Sequence, residues 1–135
     1  MFSIGVDIVE VNRIERAVSR WGERFLKRVF TAGEIDYCAE RSQSLAARWA
    51  AKEAVSKALG TGWAPQEAHD GGWIDWTEIE VCRQPSGEPG IRLHGKALSR
   101  AQALGLTQWR LSLSHSNDFA VAMVLGWAEP NLNHR

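Results

Sequence analysis

The chain has 135 residues, of which 44% are hydrophobic and 24% charged, and its formal net charge is +0. This composition is typical of one globular domain with its own core, and a neutral chain is not expected to bind nucleic acid through its overall charge. No apolar run approaches the roughly 20 residues of a membrane-spanning helix, and no secretory signal is visible at the N-terminus. The two widely separated cysteines, Cys38 and Cys82, are typical of free thiols. Together these features predict a cytoplasmic protein with no membrane and no nucleic-acid partner.

The N-terminal third predicts one strand followed by short helices. Residues 4–9 are apolar apart from Gly5 and Asp7 and predict a buried strand. Asn12 is placed to cap a helix over 13–20, and 25–30 predicts a short helical segment. Thr31 and Glu34 have the spacing of a capping box, which predicts a helix over 32–40.

A long helix is predicted over 44–59, with Gly60 ending it in a left-handed cap. At about 100° per residue, its small apolar residues share one half of the helix. They are Ala50, Ala51, Ala54, Val55, Ala58 and Leu59. The other half carries Arg48, Trp49, Lys52, Glu53, Ser56 and Lys57. The first half favours close packing, and the second offers one carboxylate among three cations, which suits a metal-bound, phosphate-rich ligand.

The C-terminal half predicts a loop and two antiparallel strand pairs. The predicted elements are a loop over 63–72, strands over 76–83 and 90–94, a helix over 96–104, and a final hairpin of 109–114 and 119–127. The last strand is apolar on both faces, which predicts a central strand. The chain is therefore expected to form one α+β domain over 1–128, with a polar tail over 129–135.

Two carboxylates are candidate metal ligands. Asp7 lies inside an apolar strand, where a carboxylate is costly unless it is paired or bound to a metal, so a salt bridge is the alternative. Glu53 has an alternative of its own, an ion pair with Lys57 four residues later. Two carboxylates from separate elements, with phosphate oxygens and waters, would suit Mg²⁺.

The cations Arg48, Lys52 and Lys57 predict either a solvated helix face or neutralisation of phosphate groups beside the metal. Gly60, Thr61 and Gly62 form either a simple helix stop or a place where a ligand approaches the backbone closely. The sequence lacks the phosphate-binding GxxxxGK[ST] pattern and the GxSxG nucleophile elbow. His115, at the end of a predicted strand, is a further candidate or a structural residue, and the histidines show no zinc-ligand spacing.

Four blocks of this chain together resemble the holo-[acyl-carrier-protein] synthases, the bacterial type of 4′-phosphopantetheinyl transferase. The blocks are Ile4 to Glu10, Arg28 to Thr31 with Glu34, Arg48 to Gly62, and Leu111 to Ser116. The resemblance covers nearly the whole chain. It implies the transferase fold, an antiparallel-rich sheet packed on a long helix.

The resemblance also implies a reaction, in which a Mg²⁺-dependent enzyme moves 4′-phosphopantetheine from coenzyme A to a serine of apo acyl carrier protein, in support of fatty acid biosynthesis. Adenosine 3′,5′-bisphosphate is the other product. By this likeness Asp7 and Glu53 bind the metal, and Glu53 and Lys57 are catalytic. The coenzyme A residues would be Arg48, Lys57, Gly60, Thr61, Gly62 and His115. Trp49 and Val55 stand where the family usually has Phe, and both substitutions are expected to leave the chemistry unchanged.

Partner surfaces follow from the same likeness. The family binds its acidic carrier through basic residues such as Arg13, and the nearby cations Arg16, Arg24 and Arg28 extend this surface unless they form only a solvated face. The family forms homotrimers with active sites between subunits. The seven tryptophans of the chain would serve core and interface packing or stacking on a nucleobase.

The competing hypothesis is a non-catalytic module that keeps the fold and binds a carrier protein or nucleotide. Asp7, Glu53 and Lys57 occur together in this chain, and a binding module would not need all three. The sequence therefore favours the enzyme.

Overall fold

The computed structural model describes residues 1–60 and 74–130. The strands are β1 (Phe2–Glu10), β2 (Ile79–Arg83), β3 (Pro89–Leu93), β4 (Gln108–His115) and β5 (Phe119–Trp127). The helices are α1 (Val11–Trp21), α2 (Glu23–Val29), α3 (Ala32–Cys38), α4 (Ser42–Ala58) and α5 (Gly95–Ala103). The predicted loop over 63–72 and the end of the predicted tail lie outside the described residues.

An antiparallel sheet of three strands forms the centre, in the order β1-β5-β4, and β2 pairs with β3 as a separate hairpin. The prediction of a central last strand is confirmed. Ala122 of β5 lies opposite Asp7 of β1 and Leu113 of β4, so these three residues occupy one row across the sheet. The predicted α+β class is likewise confirmed.

The small-residue half of α4 packs directly on this sheet. Ala50, Ala54 and Val55 of the helix are fully buried, as are Ala120 and Ala122 of β5. The closest approach is at Gly5, where an added Cβ atom would lie 1.8 Å from the carbonyl oxygen of Ala54. Only glycine leaves room for the helix backbone at this point of β1. The predicted close packing is thereby confirmed.

The other half of α4 differs from its prediction, because α3 and β2 cover much of it. Lys52 is 0% exposed and Arg48 is 5% exposed. The expectation that Lys52 lies on a solvated or phosphate-facing surface is therefore wrong. Arg48 is also not part of a solvated face.

Lys52 is instead the centre of a buried polar network. Its Nζ donates to Oε1 of Glu34 at 2.8 Å and to the backbone carbonyls of Trp76 and Ile79. Glu34, only 1% exposed, also accepts the backbone N–H groups of Thr31 and Val81 at 2.8 and 2.9 Å. Each charge is paired and hydrogen-bonded, which is what burial of an ion pair requires. The network ties α4 to α3 and β2, and the capping box predicted for Thr31 is present.

Three predicted boundaries shift for local reasons. β1 continues directly into α1 at Val11, whose N–H donates to the Asp118 carbonyl, so the predicted cap by Asn12 is wrong. The segment Trp76–Glu78 is a 3₁₀ turn before β2, and Asp75 and Glu78 form a capping box there. α3 ends at Cys38 because the next two residues, Ala39 and Glu40, have positive φ angles. Gly60 has φ of 77° and ends α4 in a left-handed conformation as predicted.

The face of the sheet opposite α4 is apolar and exposed. On β1 it presents Phe2, Ile4, Val6 and Ile8, and on β5 it presents Phe119, Met123 and Leu125. Ile4, for example, is 63% exposed beside Leu125. An apolar surface of this continuity usually marks an interface.

Cys38 and Cys82 are both free thiols, as predicted. Within residues 1–60 and 74–130, no helix has the length and apolar character needed to cross a membrane.

Candidate active site

Three residues of α4 form a row beside β1. Trp49, Glu53 and Lys57 are spaced four residues apart, so their side chains follow one another along one side of the helix. Asp7 extends from β1 on the face that packs against α4, the same face as Gly5 and Val9. The structure thus brings together the carboxylates and the lysine that the sequence singled out.

Lys57 joins the helix to the strand. Its Nζ lies 3.0 Å from Oδ1 of Asp7 and donates to the Val6 carbonyl at 3.1 Å. The side chain of Asp7 is 16% exposed and that of Lys57 is 37% exposed, so both remain accessible to a ligand. The salt bridge considered for Asp7 is present, and its partner is Lys57.

Glu53 has a different partner from the one considered. Oε1 of Glu53 accepts the indole Nε1–H of Trp49 at 3.3 Å, whereas the ion pair of Lys57 is made with Asp7. Burial raises the pKa of Glu53, and the Asp7 carboxylate adds to the shift, against the Trp49 hydrogen bond and the positive charges of Lys57 and Arg13. Glu53 is therefore a stronger base than an exposed glutamate.

The donor chemistry of this site fits Mg²⁺. The part of the chain that the structure describes contains no group of three or more His, Cys, Asp or Glu residues placed to hold a metal ion. Mg²⁺, however, is commonly held by one or two carboxylates together with waters and substrate phosphates. Asp7 and Glu53 would supply such a pair of oxygen ligands, and the charge of Lys57 lies beside Asp7. We refer to Asp7, Glu53 and Lys57 as the acidic–lysine cluster.

Arg48 lies on the opposite side of α4, nearly two turns from the beginning of the helix. Its guanidinium stacks on the Tyr37 ring at 4.4 Å, and Arg41 and Arg83 approach the same ring at 5.3 and 4.7 Å. The buried Nε of Arg48 has no hydrogen-bond partner among the described residues. This group of guanidiniums concentrates positive charge, which suits the predicted role of Arg48 near a phosphate.

His115 lies at the end of β4 and is exposed. It lines a surface cleft together with Arg41, Ser42, Gln43, Ser44 and Asn117, where the β4–β5 turn meets the beginning of α4. Gln43 links the beginning of α4 to the β4–β5 turn, since its side chain donates to the Ser116 carbonyl and the Asn117 side chain. His115 therefore lies beside the N-terminal half of α4, the half that carries Arg48.

Gly60 marks the other end of the same helix. It is exposed, its N–H donates to the Lys57 carbonyl, and Arg100 of α5 donates to the neighbouring Leu59 carbonyl at 3.0 Å. At 1.5 Å per residue, Arg48 and Gly60 are separated by about 18 Å along the helix axis. Within one chain, the residues predicted to bind coenzyme A thus fall into two groups. Thr61 and Gly62 lie outside the described residues.

The predicted partner surface is exposed on α1 and α2. Arg13, Arg16, Arg24 and Arg28 all reach solvent. Arg24 and Arg28 line a cleft together with Trp21 and Phe25. Arg13 has a second contact, because its guanidinium lies 5.3 Å from the centre of the Trp49 ring.

Sequence reasoning missed the polar role of Trp49, which it treated only as an apolar ring. The i,i+4 spacing of Trp49 and Glu53 was the available signal, because an indole N–H is a hydrogen-bond donor. It also missed the function of Gly5 in the helix–sheet contact. The signal there was a glycine inside an apolar strand, which often marks a close backbone approach.

Comparisons with known proteins identify the relatives of this chain. Residues 3–124 match the model of the 4′-phosphopantetheinyl transferase superfamily. A protein of Herpetosiphon aurantiacus named holo-[acyl-carrier-protein] synthase is 52% identical over 126 residues, which cover 93% of this chain and 98% of that protein. A protein of the same name from Gloeobacter violaceus is 46% identical, covering 90% of this chain and 89% of its own.

Solved structures show the same likeness. The Helicobacter pylori holo-[acyl-carrier-protein] synthase in complex with coenzyme A superposes with a TM-score of 0.77 at 32% identity, covering 92% of this chain and 99% of that one. A coenzyme A complex from Chronobacterium ammoniagenes gives a TM-score of 0.77 at 31% identity, covering 96% and 99% of the two chains.

Proposed function

The chain belongs to the 4′-phosphopantetheinyl transferase superfamily and is a transferase of the holo-[acyl-carrier-protein] synthase type, and we propose that the acidic–lysine cluster is its catalytic centre. The reaction moves 4′-phosphopantetheine from coenzyme A to a serine hydroxyl of apo acyl carrier protein, and adenosine 3′,5′-bisphosphate leaves. The observation that carries the proposal is the meeting of Asp7, Glu53 and Lys57 from two distant elements at one accessible place.

Coenzyme A carries a pyrophosphate, and each residue of the cluster has a role toward it. Asp7 and Glu53 would hold Mg²⁺, which when bound polarises phosphoryl oxygens and neutralises their charge. Lys57 already reaches the same place with its Nζ at 3.0 Å from Asp7, and its side chain is 37% exposed, so a phosphate oxygen can approach it. This positive charge stabilises the negative charge that grows as the bond to the nucleotide breaks.

Glu53 is the candidate base for the serine proton. The carrier serine oxygen attacks the phosphorus that bears pantetheine, the bond from that phosphorus to the nucleotide breaks, and the serine proton passes to Glu53 directly or through a water. The raised pKa of Glu53 favours this transfer, because a base works best when its pKa lies closer to the working pH.

The nucleotide end of coenzyme A is assigned to Arg48, Gly60, Thr61, Gly62 and His115. Arg48 and His115 lie at the N-terminal half of α4, and Gly60 lies just beyond its C-terminal end. A complete site would therefore form if two subunits contributed one group each. The exposed apolar face of the sheet supports such an assembly, since Ile4, Val6 and Met123 are each about half or more exposed in the single chain. The proposed assembly is the homotrimer that the family likeness implies.

The carrier protein is assigned to the basic surface of α1 and α2. Acyl carrier proteins are small and acidic, and the exposed arginines Arg13, Arg16, Arg24 and Arg28 give this surface the opposite charge. The cleft between Arg24 and Arg28 adds the rings of Trp21 and Phe25 as apolar contacts. We place the enzyme in the cytoplasm, in the supply of holo carrier protein for fatty acid biosynthesis.

Intact-mass measurement of apo acyl carrier protein tests the function. Incubation with the enzyme, coenzyme A and Mg²⁺ should add the mass of one phosphopantetheine group to the carrier. Omission of Mg²⁺ with a chelator present, or replacement of the carrier serine by alanine, should abolish the gain. A non-catalytic module would leave the carrier mass unchanged while still binding the carrier or coenzyme A.

A further inference from the structure

Trp49 makes a polar contact with the proposed metal site. Its indole Nε1 lies 3.3 Å from Oε1 of Glu53, one helical turn further along α4. An indole N–H donates and never accepts, and it does not titrate, so Trp49 offers Glu53 the same donor at every working pH. Phenylalanine, the usual residue of the family at position 49, would keep an aromatic ring and lose this donor, so in this chain the contact departs from the expectation that Trp49 leaves the chemistry unchanged.

The indole ring of Trp49 is held on several sides. Phe25 of α2 contacts it with ring centres 5.3 Å apart, and Trp76 meets it edge to face at 5.9 Å. The Arg13 guanidinium lies over the ring at 5.3 Å. A ring packed between two aromatic side chains and a cation has little freedom to rotate, so the direction of its N–H is fixed by the fold.

A fixed hydrogen-bond donor on one oxygen of a carboxylate also fixes the direction of the second oxygen. When Oε1 of Glu53 receives the indole N–H, the plane of the carboxylate is set and Oε2 remains as the oxygen for a further ligand. Hydrogen bonds of this kind orient carboxylates that bind metals, and their removal typically costs about 10- to 100-fold in metal affinity or activity.

From this geometry we infer that Trp49 is a positioning residue, which orients the Glu53 carboxylate for Mg²⁺ through its indole N–H. The inference rests on the proposed metal-binding role of Glu53 and extends it. In this role Trp49 acts through Glu53. Its contribution is separate from ring packing, which a phenylalanine preserves.

The first test observes the hydrogen bond directly. In ¹H–¹⁵N spectra of the labelled protein, the Trp49 indole signal is identified by its absence in Trp49→Phe. Removal of the acceptor in Glu53→Ala should move this signal upfield, while the Trp76 signal, identified by its absence in Trp76→Phe, should move less. An unmoved Trp49 signal would overturn the inference.

The second test measures Mg²⁺ affinity by titration calorimetry in the presence of coenzyme A and without carrier protein. Trp49→Phe should weaken Mg²⁺ binding about 10-fold, in line with the loss of one orienting hydrogen bond. Trp76→Phe changes a ring of the same aromatic cluster and serves as the matched control, with affinity close to wild type. Equal losses in the two variants would reduce Trp49 to a packing residue and overturn the inference.

The two proposals fail in different ways. If the wild-type enzyme adds no mass to apo carrier protein, the proposed function is wrong, and the titration still decides whether Trp49 acts on the metal site. If transfer occurs but Trp49→Phe binds Mg²⁺ like wild type, the function stands and the role of Trp49 is wrong. Thermal unfolding of both variants verifies that each is folded at the temperature of the titration.

Discussion

Nζ of Lys57 lies 3.0 Å from Oδ1 of Asp7, a contact between residues 50 positions apart in the chain. It crosses from α4 to β1 and exists because the helix backbone comes so near the strand at Gly5. The geometry of the candidate site therefore depends on the distance between one helix and one strand. A change in that distance should impair stability and chemistry together.

Gly5→Ala tests this dependence. The new Cβ would lie 1.8 Å from the Ala54 carbonyl oxygen. Because the clashing atoms belong to the backbone of α4, no side chain can turn away, and the helix and the strand would have to move apart. We expect a loss of about 3 kcal/mol or more in the free energy of unfolding, at the upper end of overpacking costs, with loss of transfer activity. Urea unfolding and the carrier mass assay measure the two effects. Gly33→Ala is the control, because its Cβ meets its nearest neighbour at an ordinary 3.6 Å, and a variant at Gly5 that behaves like this control would contradict the helix–sheet argument.

Lys57→Met tests the phosphate role of the lysine. Methionine keeps a long unbranched side chain but loses the charge. The value of kcat/KM for carrier modification should therefore fall about 100-fold or more, as expected for the loss of one group that stabilises the transition state. Lys57→Arg should retain part of the activity. Lys96→Met removes an exposed lysine of α5, a helix that supplies no residue of the cluster, and should leave kcat/KM unchanged. Near-normal activity in Lys57→Met would remove this residue from the mechanism.

The sequence was a good guide where the signal is local. The i,i+4 spacing placed Glu53 and Lys57 on one side of α4, and the two apolar faces of the last strand predicted its central position. The capping box at Thr31 and the left-handed Gly60 were predicted from residue type and spacing alone. Each of these features depends on residues a few positions apart.

Features that depend on tertiary packing were not predicted. The helical pattern of α4 placed Lys52 beside Glu53 on a polar half, yet α3 and β2 enclose it, and its partner Glu34 is 18 positions away. Nothing in the spacing identifies that partner, because the pairing is decided by how α3 packs. The same holds for Tyr37, which brings Arg41, Arg48 and Arg83 together from three parts of the chain.

The buried ion pair gives a stability prediction. Lys52→Met leaves the Glu34 carboxylate buried without its cation, which should cost about 3–5 kcal/mol in the free energy of unfolding. The double variant Lys52→Met with Glu34→Gln removes both charges, keeps a side-chain oxygen as an acceptor for the buried backbone N–H groups, and should recover much of the loss. Lys27→Met breaks the exposed pair with Glu23 and should cost less than about 1 kcal/mol. Urea unfolding measures all three, and equal losses in the single and double variants would show that charge pairing is not the cause.

Glu53 predicts a pH-dependent stability. Its folded-state pKa is raised by burial, so between its ordinary value of 4.5 and the raised value the folded state binds more protons than the unfolded state. Stability should therefore fall as pH rises through this window. Glu53→Gln removes the buried charge and should raise the melting temperature at pH 7, with the difference from wild type shrinking as pH falls from the raised pKa toward 4.5. Melting curves across pH measure this, and an equal difference at every pH would contradict the assignment.

The exposed sheet face predicts that assembly and activity are linked. Ile4→Asp places a charge on this face, where Ile4 is 63% exposed in the single chain, and should shift the protein from the proposed trimer to a monomer, as measured by light scattering. Gln102→Asp, exposed on α5, is the control and should remain assembled.

Complementation asks whether two subunits build one site. Asp7→Asn removes a proposed metal ligand, and His115→Ala removes a proposed contact to the nucleotide. Each variant alone should therefore be poorly active. If the two ends come from different subunits, co-expressed mixed trimers contain some sites with both native residues, and activity should rise above the sum of the separate variants. If one subunit supplies both residues of a site, no mixed trimer contains an intact site and activity stays at that sum. The carrier mass assay on purified mixed trimers distinguishes the two arrangements, and the second result would reject the proposed site between subunits.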